Sequence, residues 1–196
     1  MGFKCGIIGL PNVGKSTLFN ALTKSSIPAN NFPFCTIEPN LGKITVPDKR
    51  ITDIQAIVNA AKVIPTTIDI VDIAGLVKGA SKGEGLGNAF LSNIREMNAL
   101  AHVVRCFEDD NVTHVDGSID PLRDAEIINL ELIFADIETV NKRITKCEKL
   151  LKTNNKDNLF ELTVLKNILE RLELDKFLDM NSYDEEELKI IIDFNF

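Results

Sequence analysis

Long apolar runs are missing from this 196-residue chain. No stretch approaches the roughly 20 residues that a membrane helix needs. Paired cysteines are missing too: Cys5, Cys35, Cys106 and Cys147 lie far apart with no C-x-x-C spacing, and there are only two histidines to assist them. A zinc site or disulfide framework is therefore not expected, and a reduced, cytoplasmic compartment is the expectation. The first residues carry no secretory apolar region, and Gly6 stands where a myristoylation signal wants Ser or Thr, so neither a leader nor a lipid anchor is expected. What remains, at 44% hydrophobic and 26% charged residues, is the composition of a globular domain, long enough for one domain carrying a sizeable insertion.

Positive charge is scarce in only one half. Residues 1–100 hold ten Lys/Arg against seven Asp/Glu, a balance of +3; residues 101–196 hold twelve against twenty-two, a balance of −10, and together they give the net charge of −7. An acidic second half is a poor footprint for nucleic acid, so no sequence-specific DNA binding is expected.

In the first hundred residues short β-type runs alternate with helical stretches, which predicts an α/β domain with a mostly parallel sheet. Strands are expected at residues 3–8, 41–46, 66–72 and 101–107, and helices at 15–24 and 89–100. From about Asp124 the texture changes: Leu130, Ile133, Ile137, Val140, Ile144, Cys147 and Leu151 recur at spacings of three and four. A polar break at 153–158 precedes a second stripe through Leu162, Leu165, Ile168, Leu169 and Leu172. Two such helices joined by a short loop predict an antiparallel helical hairpin, read as packing more readily than as a dedicated binding coil. A third short helix is expected around 184–192, leading back to the sheet. The expected organisation is a nucleotide-binding domain over 1–123 and a helical coiled-coil insertion over 124–196.

Gly9-Leu10-Pro11-Asn12-Val13-Gly14-Lys15-Ser16 matches G-x-x-x-x-G-K-[ST] at every fixed position, between an apolar strand and a helix. Chemistry requires that order. The loop turns successive backbone N–H groups inward, and the helix N-terminus adds positive partial charge to a phosphate cradle. Asn12, Val13, Gly14, Lys15, Ser16 and Thr17 are therefore the candidate phosphate-binding residues. Lys15 is expected to reach the β- and γ-phosphates, and the Ser16 hydroxyl to ligate Mg²⁺. Downstream, Asp72-Ile73-Ala74-Gly75 gives D-x-x-G at the end of an apolar strand. Asp72 is expected to hold the metal, usually through water, and the Gly75 N–H to sense the γ-phosphate. Thr36, in a loop before the second strand, is the candidate switch threonine for the metal; Thr23 and Thr45 compete poorly because they fall in a helix and a strand. Five of the chain's eleven glycines lie in 75–87, expected as a switch segment, with a plain flexible loop as the alternative.

These residues, together with Phe32-Pro33-Phe34-Cys35-Thr36-Ile37-Glu38-Pro39-Asn40 and Gly75-Leu76-Val77-Lys78-Gly79-Ala80, resemble the Obg-related translation-factor NTPases, and in particular the YchF/Obg-like ATPase subfamily. The resemblance implies a P-loop domain interrupted by a coiled-coil hairpin and followed by a TGS domain, ribosome binding, and hydrolysis of ATP in preference to GTP. Many switch GTPases place a water-orienting glutamine just after D-x-x-G, whereas this chain has Leu76. By resemblance the substitute is a loop histidine, and His114 occupies the matching position. His102, in an apolar strand, reads as a core residue. No base-recognition motif follows a strand: Asn141-Lys142-Arg143-Ile144 lacks the acid, and Asn167-Ile168-Leu169-Glu170 falls inside the second helical stripe. The chain is accordingly expected to be an N-terminal portion, stopping before base recognition and the TGS domain. The leading expectation is a Mg²⁺-dependent ATPase that partners the ribosome, with a contact that can belong to the absent C-terminal region. An Obg-type GTPase and a non-catalytic interaction module remain the alternatives.

Overall fold

A computed structural model of the chain describes residues 2–24, 40–58, 60–73, 86–109, 111–151, 157–174, 176–192 and 194. Four strands, β1 (Phe3–Ile8), β2 (Asn40–Thr45), β3 (Thr67–Asp72) and β4 (Ala99–His102), form one sheet in the order β2-β3-β1-β4. β1 runs parallel to both β3 and β4, with Ile7 opposite Asp72 and Ile8 opposite His102. The expected mostly parallel α/β sheet is thus what the chain forms. β2 is the exception and pairs antiparallel with β3. The reason is local: the Val46 N–H donates to the Thr66 carbonyl at 2.8 Å, so the chain between the two strands leaves and re-enters at the same end.

That excursion contains α2 (Lys49–Val58), a helix that the sequence reading did not anticipate. Asp48 starts it, its Oδ1 accepting the Arg50 N–H at 3.0 Å. α1 (Lys15–Thr23) is one residue shorter than expected, because Lys24 closes it in the left-handed conformation. α3 (Leu86–Arg95) and β4 lie earlier than expected. Asn98 accounts for the first shift: its side-chain oxygen accepts the Lys4 N–H at 2.8 Å and its own N–H donates to the Lys4 carbonyl, pulling 98–102 onto β1. Arg105 accounts for the second. Its fully buried guanidinium bonds three nearby carbonyls and turns the chain away from the sheet after Val103.

The chain divides into two compact units, one of residues 1–77 and 92–125, the other of 78–91 and 126–196. In the first, Phe19 of α1 is fully buried against Ile7 and Ile70, with Cys5, Ile44, Ile68 and Val103 packed around them. That contact seats α1 on the sheet and so fixes the loop that joins it to β1.

α4 (Pro121–Leu151) begins with Asp120, whose Oδ1 accepts the Arg123 N–H at 3.2 Å, and with Pro121, whose missing N–H costs nothing at a first helical position. The helix is 31 residues long, and its part from Glu126 on belongs to the second unit. There Ile133, Val140, Ile144 and Cys147 pack against Leu162, Leu165, Ile168 and Leu172 of α5 (Asp157–Leu172), which brings the two apolar stripes together. Arg143 Nε donates to Glu161 Oε1 at 2.6 Å across the same pair. α6 (Glu185–Ile192) buries Ile191 in this cluster. Its first turn is closed reciprocally, as the Glu186 and Glu187 N–H groups donate to Asp184 Oδ1 and the Asp184 N–H to Glu187 Oε2. The expected short helix around 184–192 is thus present, and its buried face belongs to the helical core. Among the described residues no helix is long and apolar enough to cross a membrane.

Ile168 is wholly buried at the centre of the α4–α5 seam. Ile168→Ala is expected to lower unfolding free energy by about 2–5 kcal/mol, measured by urea denaturation followed by helical circular dichroism.

Candidate functional site

β1 ends between the carboxyl ends of β3 and β4, and the chain leaves it there as a tight loop over residues 9–14. Crevices at strand carboxyl ends are where open α/β sheets bind ligands. The loop turns through left-handed geometry three times, at Gly9 (φ 146°), Asn12 (φ 62°) and Gly14 (φ 101°). Asn tolerates such a φ better than most residues, and glycine takes it freely. Gly9 has a second constraint: a Cβ there would lie 2.3 Å from the Val103 carbonyl oxygen, so no side chain fits between this loop and the strand beside it.

Beyond the loop, α1 starts at Lys15 with no side-chain cap and no acidic residue in its first turn. Its positive end is left to the loop, an arrangement suited to an anion. Val13 is buried and anchors the loop from within, while Thr17 stands exposed on the first turn of α1.

Lys15 is buried, and its Nζ donates to the Leu10 carbonyl at 2.7 Å, strapping the loop across its own width. Burial pushes its pKa down from 10.5 to about 8, with the nearby Asp72 carboxylate pulling the other way. Asp72, at the end of β3, accepts the Ser16 hydroxyl on Oδ2 at 2.7 Å. Desolvation raises the Asp72 pKa above the ordinary carboxylate value, opposed by the Ser16 bond and by Lys15. His102, at the end of β4, is half-buried; desolvation and then the Lys15 charge lower its pKa, so its neutral form is favoured.

The structure therefore brings Lys15, Ser16 and Asp72 together around one loop. Thr36 and Gly75 lie outside the described residues, as does Leu76. His114 is placed differently from the others. Its side chain is 4% exposed, Nε2 lies 2.8 Å from Asp124 Oδ2, and the Asp116 N–H donates to Nδ1 at 3.2 Å. Its loop nevertheless touches the cradle, because Asn12 Nδ2 donates to the Thr113 carbonyl at 3.1 Å. Ligand atoms of His114, Asp116 and Asp124 lie within 4.8 Å of one another, but both ring nitrogens already have partners, so the group reads as a hydrogen-bonded one.

Sequence reasoning missed two residues here. Arg105 Nε, Nη1 and Nη2 donate to the carbonyls of Phe107, Val112 and Asp109 at 3.0, 2.7 and 3.1 Å, and its guanidinium lies over the Phe107 ring. One buried cation thus shapes the loop leading to His114. Asp124 is the other; its Oδ1 also accepts Arg123 Nη2 at 3.0 Å. An arginine in an apolar run and an acid near a helix start are both ordinary in sequence. No spacing marks either.

A family model described as "50S ribosome-binding GTPase" matches residues 4–165. The chain is 56% identical over 196 residues to the ribosome-binding ATPase YchF of Haemophilus ducreyi, spanning all of this chain and 54% of that protein. It is 60% identical over 173 residues to the same-named protein of Escherichia coli O157:H7, spanning 88% of this chain and 48% of that one. A solved structure of the Schizosaccharomyces pombe YchF GTPase is 37% identical with a TM-score of 0.77, covering 99% of this chain and 53% of the other. The chain spans about half the length of the relatives it matches.

Lys15 generates a test that needs no ligand. Its pKa is lower folded than unfolded, so between about pH 8 and 10.5 the unfolded state binds more protons and stability from this group rises with pH. From pH 8 to 9.5 the gain is about 1.5 kcal/mol. Urea unfolding at the two values should show that gain in the wild-type chain relative to Lys15→Met; equal slopes in the two would contradict it.

Proposed function

The chain belongs to the 50S ribosome-binding GTPase family, with YchF proteins as its near relatives, and from that premise we propose that it is a Mg²⁺-dependent nucleoside triphosphatase whose phosphate cradle is the loop of residues 9–17. The observation that carries the reading is the junction of that loop with Asp72: the uncapped N-terminus of α1, the buried Lys15 and the Ser16–Asp72 pair converge at the carboxyl end of β1.

In this reading the backbone N–H groups of Asn12, Val13, Gly14, Lys15, Ser16 and Thr17 surround the phosphates, and Lys15 supplies the charge that faces their β- and γ-oxygens. The residues fit Mg²⁺. Ser16 directs its proton at Asp72, which leaves the lone pairs of Oγ to a cation, and a hydroxyl with a carboxylate behind it is the hard oxygen set that this ion prefers. Ser16 and Thr36 would be direct ligands, with Asp72 acting through a metal-bound water. Bound there, the ion neutralises charge on the transferring phosphate. Gly75 would report the γ-phosphate to the glycine-rich segment after it. With leucine at position 76, orientation of the attacking water falls to His114.

The organisation proposed is a nucleotide-binding domain over 1–123 carrying a helical insertion over 124–196, in a cytoplasmic protein; a ribosomal partner is proposed because its bacterial relatives are named ribosome-binding. ATP is the favoured substrate because the bacterial relatives are named ATPases. The second reading, GTP, rests on the Schizosaccharomyces pombe relative, which is named a GTPase.

Thermal denaturation with Mg²⁺-ATP, with Mg²⁺-GTP and without nucleotide tests both. A competent site is stabilised by RT ln(1 + [L]/Kd), about 2.7 kcal/mol at a hundred times Kd. A shift is expected with Mg²⁺-nucleotide, and Lys15→Ala should abolish it; a larger shift with ATP would support the ATPase reading. A larger shift with GTP would move the assignment to that base. No shift with either would favour a non-catalytic interaction module.

A further inference from the structure

We propose that Asp124 is a positioning residue for His114, holding the ring as the Nε2–H tautomer so that Nδ1 is the nitrogen turned to water. The inference rests on the proposed hydrolytic role of His114 and adds the residue on which that role depends.

The two hydrogen bonds of the ring decide the tautomer. Nδ1 accepts the Asp116 N–H, and a nitrogen that accepts carries no proton. The proton therefore sits on Nε2 and points at Asp124 Oδ2, 2.8 Å away. Both side chains are almost fully buried, so water does not compete for that bond. Arg123, lying over the other oxygen, steadies the carboxylate: Nη2 donates to Asp124 Oδ1 while Nη1 and Nη2 are tied to the Ser118 hydroxyl and carbonyl.

The bonds at the two ring nitrogens are unequal. The carboxylate bond is short and charge-assisted, the kind about twice as strong as a neutral one. The Asp116 bond is a longer, neutral one made by the backbone of a turn, closed by the Gly117 N–H on the His114 carbonyl, with Gly117 at φ 70°. Moving the Asp116 N–H away would uncover Nδ1 without breaking the Asp124 bond, which the other ring nitrogen makes. The chain on either side is held, by Arg105 up to Val112, by Asn12 at Thr113 and by the start of α4 at Pro121. Residues 114–120 lie between those anchors and are held within by Arg123, at Ser118 and, at 3.9 Å, at the Asp116 carboxylate. A water brought to Nδ1 would donate its hydrogen there and keep an oxygen lone pair for the phosphate. A carboxylate that fixes an imidazole tautomer in this way acts through the ring and does not touch substrate.

The chain has only two histidines, so ¹⁵N-histidine labelling resolves His114 directly. In the wild-type chain His114 should show protonated Nε2 and unprotonated Nδ1. Asp124→Asn, which keeps the size but offers an amide N–H, should mix or invert the tautomers. The same substitution should lower kcat for Mg²⁺-ATP hydrolysis by about tenfold or more, within the range of about 10⁴ that loss of an orienting carboxylate reaches elsewhere, with KM within about twofold. In a His114→Ala background it should add nothing. A protonated Nδ1 in the wild type overturns the proposal without any variant. An unchanged tautomer in Asp124→Asn also overturns it, as does a kcat loss that multiplies with His114→Ala. If the wild type neither binds nor hydrolyses nucleotide, the functional reading falls, whereas a positive nucleotide result with the wrong tautomer removes Asp124 alone.

Discussion

The hydrogen bond from the Ser16 hydroxyl to the Asp72 carboxylate is the interaction on which the arrangement depends. It joins the first turn of α1 to the end of β3, two points 56 residues apart in sequence, and it sets the oxygen of one and the charge of the other at the mouth of the loop. Everything needed to make it is placed by the sheet. β1 and β3 are in parallel register with Ile7 opposite Asp72, and Phe19 clamps α1 onto the same two strands. The carboxylate acceptor makes the bond a charge-assisted one. Its value is that it fixes a hard oxygen pair beside a lysine whose burial makes its charge conditional.

That conditional charge is the second physical theme. A fully solvated lysine would carry its proton to pH 10 and would lend little discrimination. Lys15 is buried, bonded to the carbonyl of Leu10, and titrates near 8. A polyanion entering the loop would restore the proton, so occupancy and charge are coupled at this residue. Asp72 is shifted up by the same desolvation, and each of the two groups offsets part of the other's cost.

Where a residue's role follows from local pattern, it was legible in the sequence. The loop with Gly9, Gly14, Lys15 and Ser16, the strand ending at Asp72, and the two apolar stripes that meet through Val140, Cys147, Leu165 and Ile168 all carry their geometry in their spacing. α2 was missed although Ile51, Ile54 and Ile57 recur every three residues, because that helix buries none of them and so offers no core to argue from. The antiparallel pairing of β2 depends on where the chain re-enters, a tertiary fact that strand propensity does not contain. Arg105 and Asp124 were out of reach for a related reason: one bonds carbonyls, which every residue has, and the other bonds a histidine ten positions earlier across a turn. His114 was named by resemblance to a family, and its burial between two partners was not foreseeable from any motif.

The central claim is that residues 9–17 and Asp72 make a metal-dependent triphosphate site. Isothermal titration of ATP into the wild-type chain and into Ser16→Ala, each with Mg²⁺ and with EDTA, tests it most directly. The account predicts one saturable site in the wild type whose affinity falls at least about tenfold in EDTA, equivalent to about 1.4 kcal/mol. It also predicts a Ser16→Ala chain whose weaker affinity is nearly the same with and without the ion. A Mg²⁺ dependence of equal size in the two chains would contradict it.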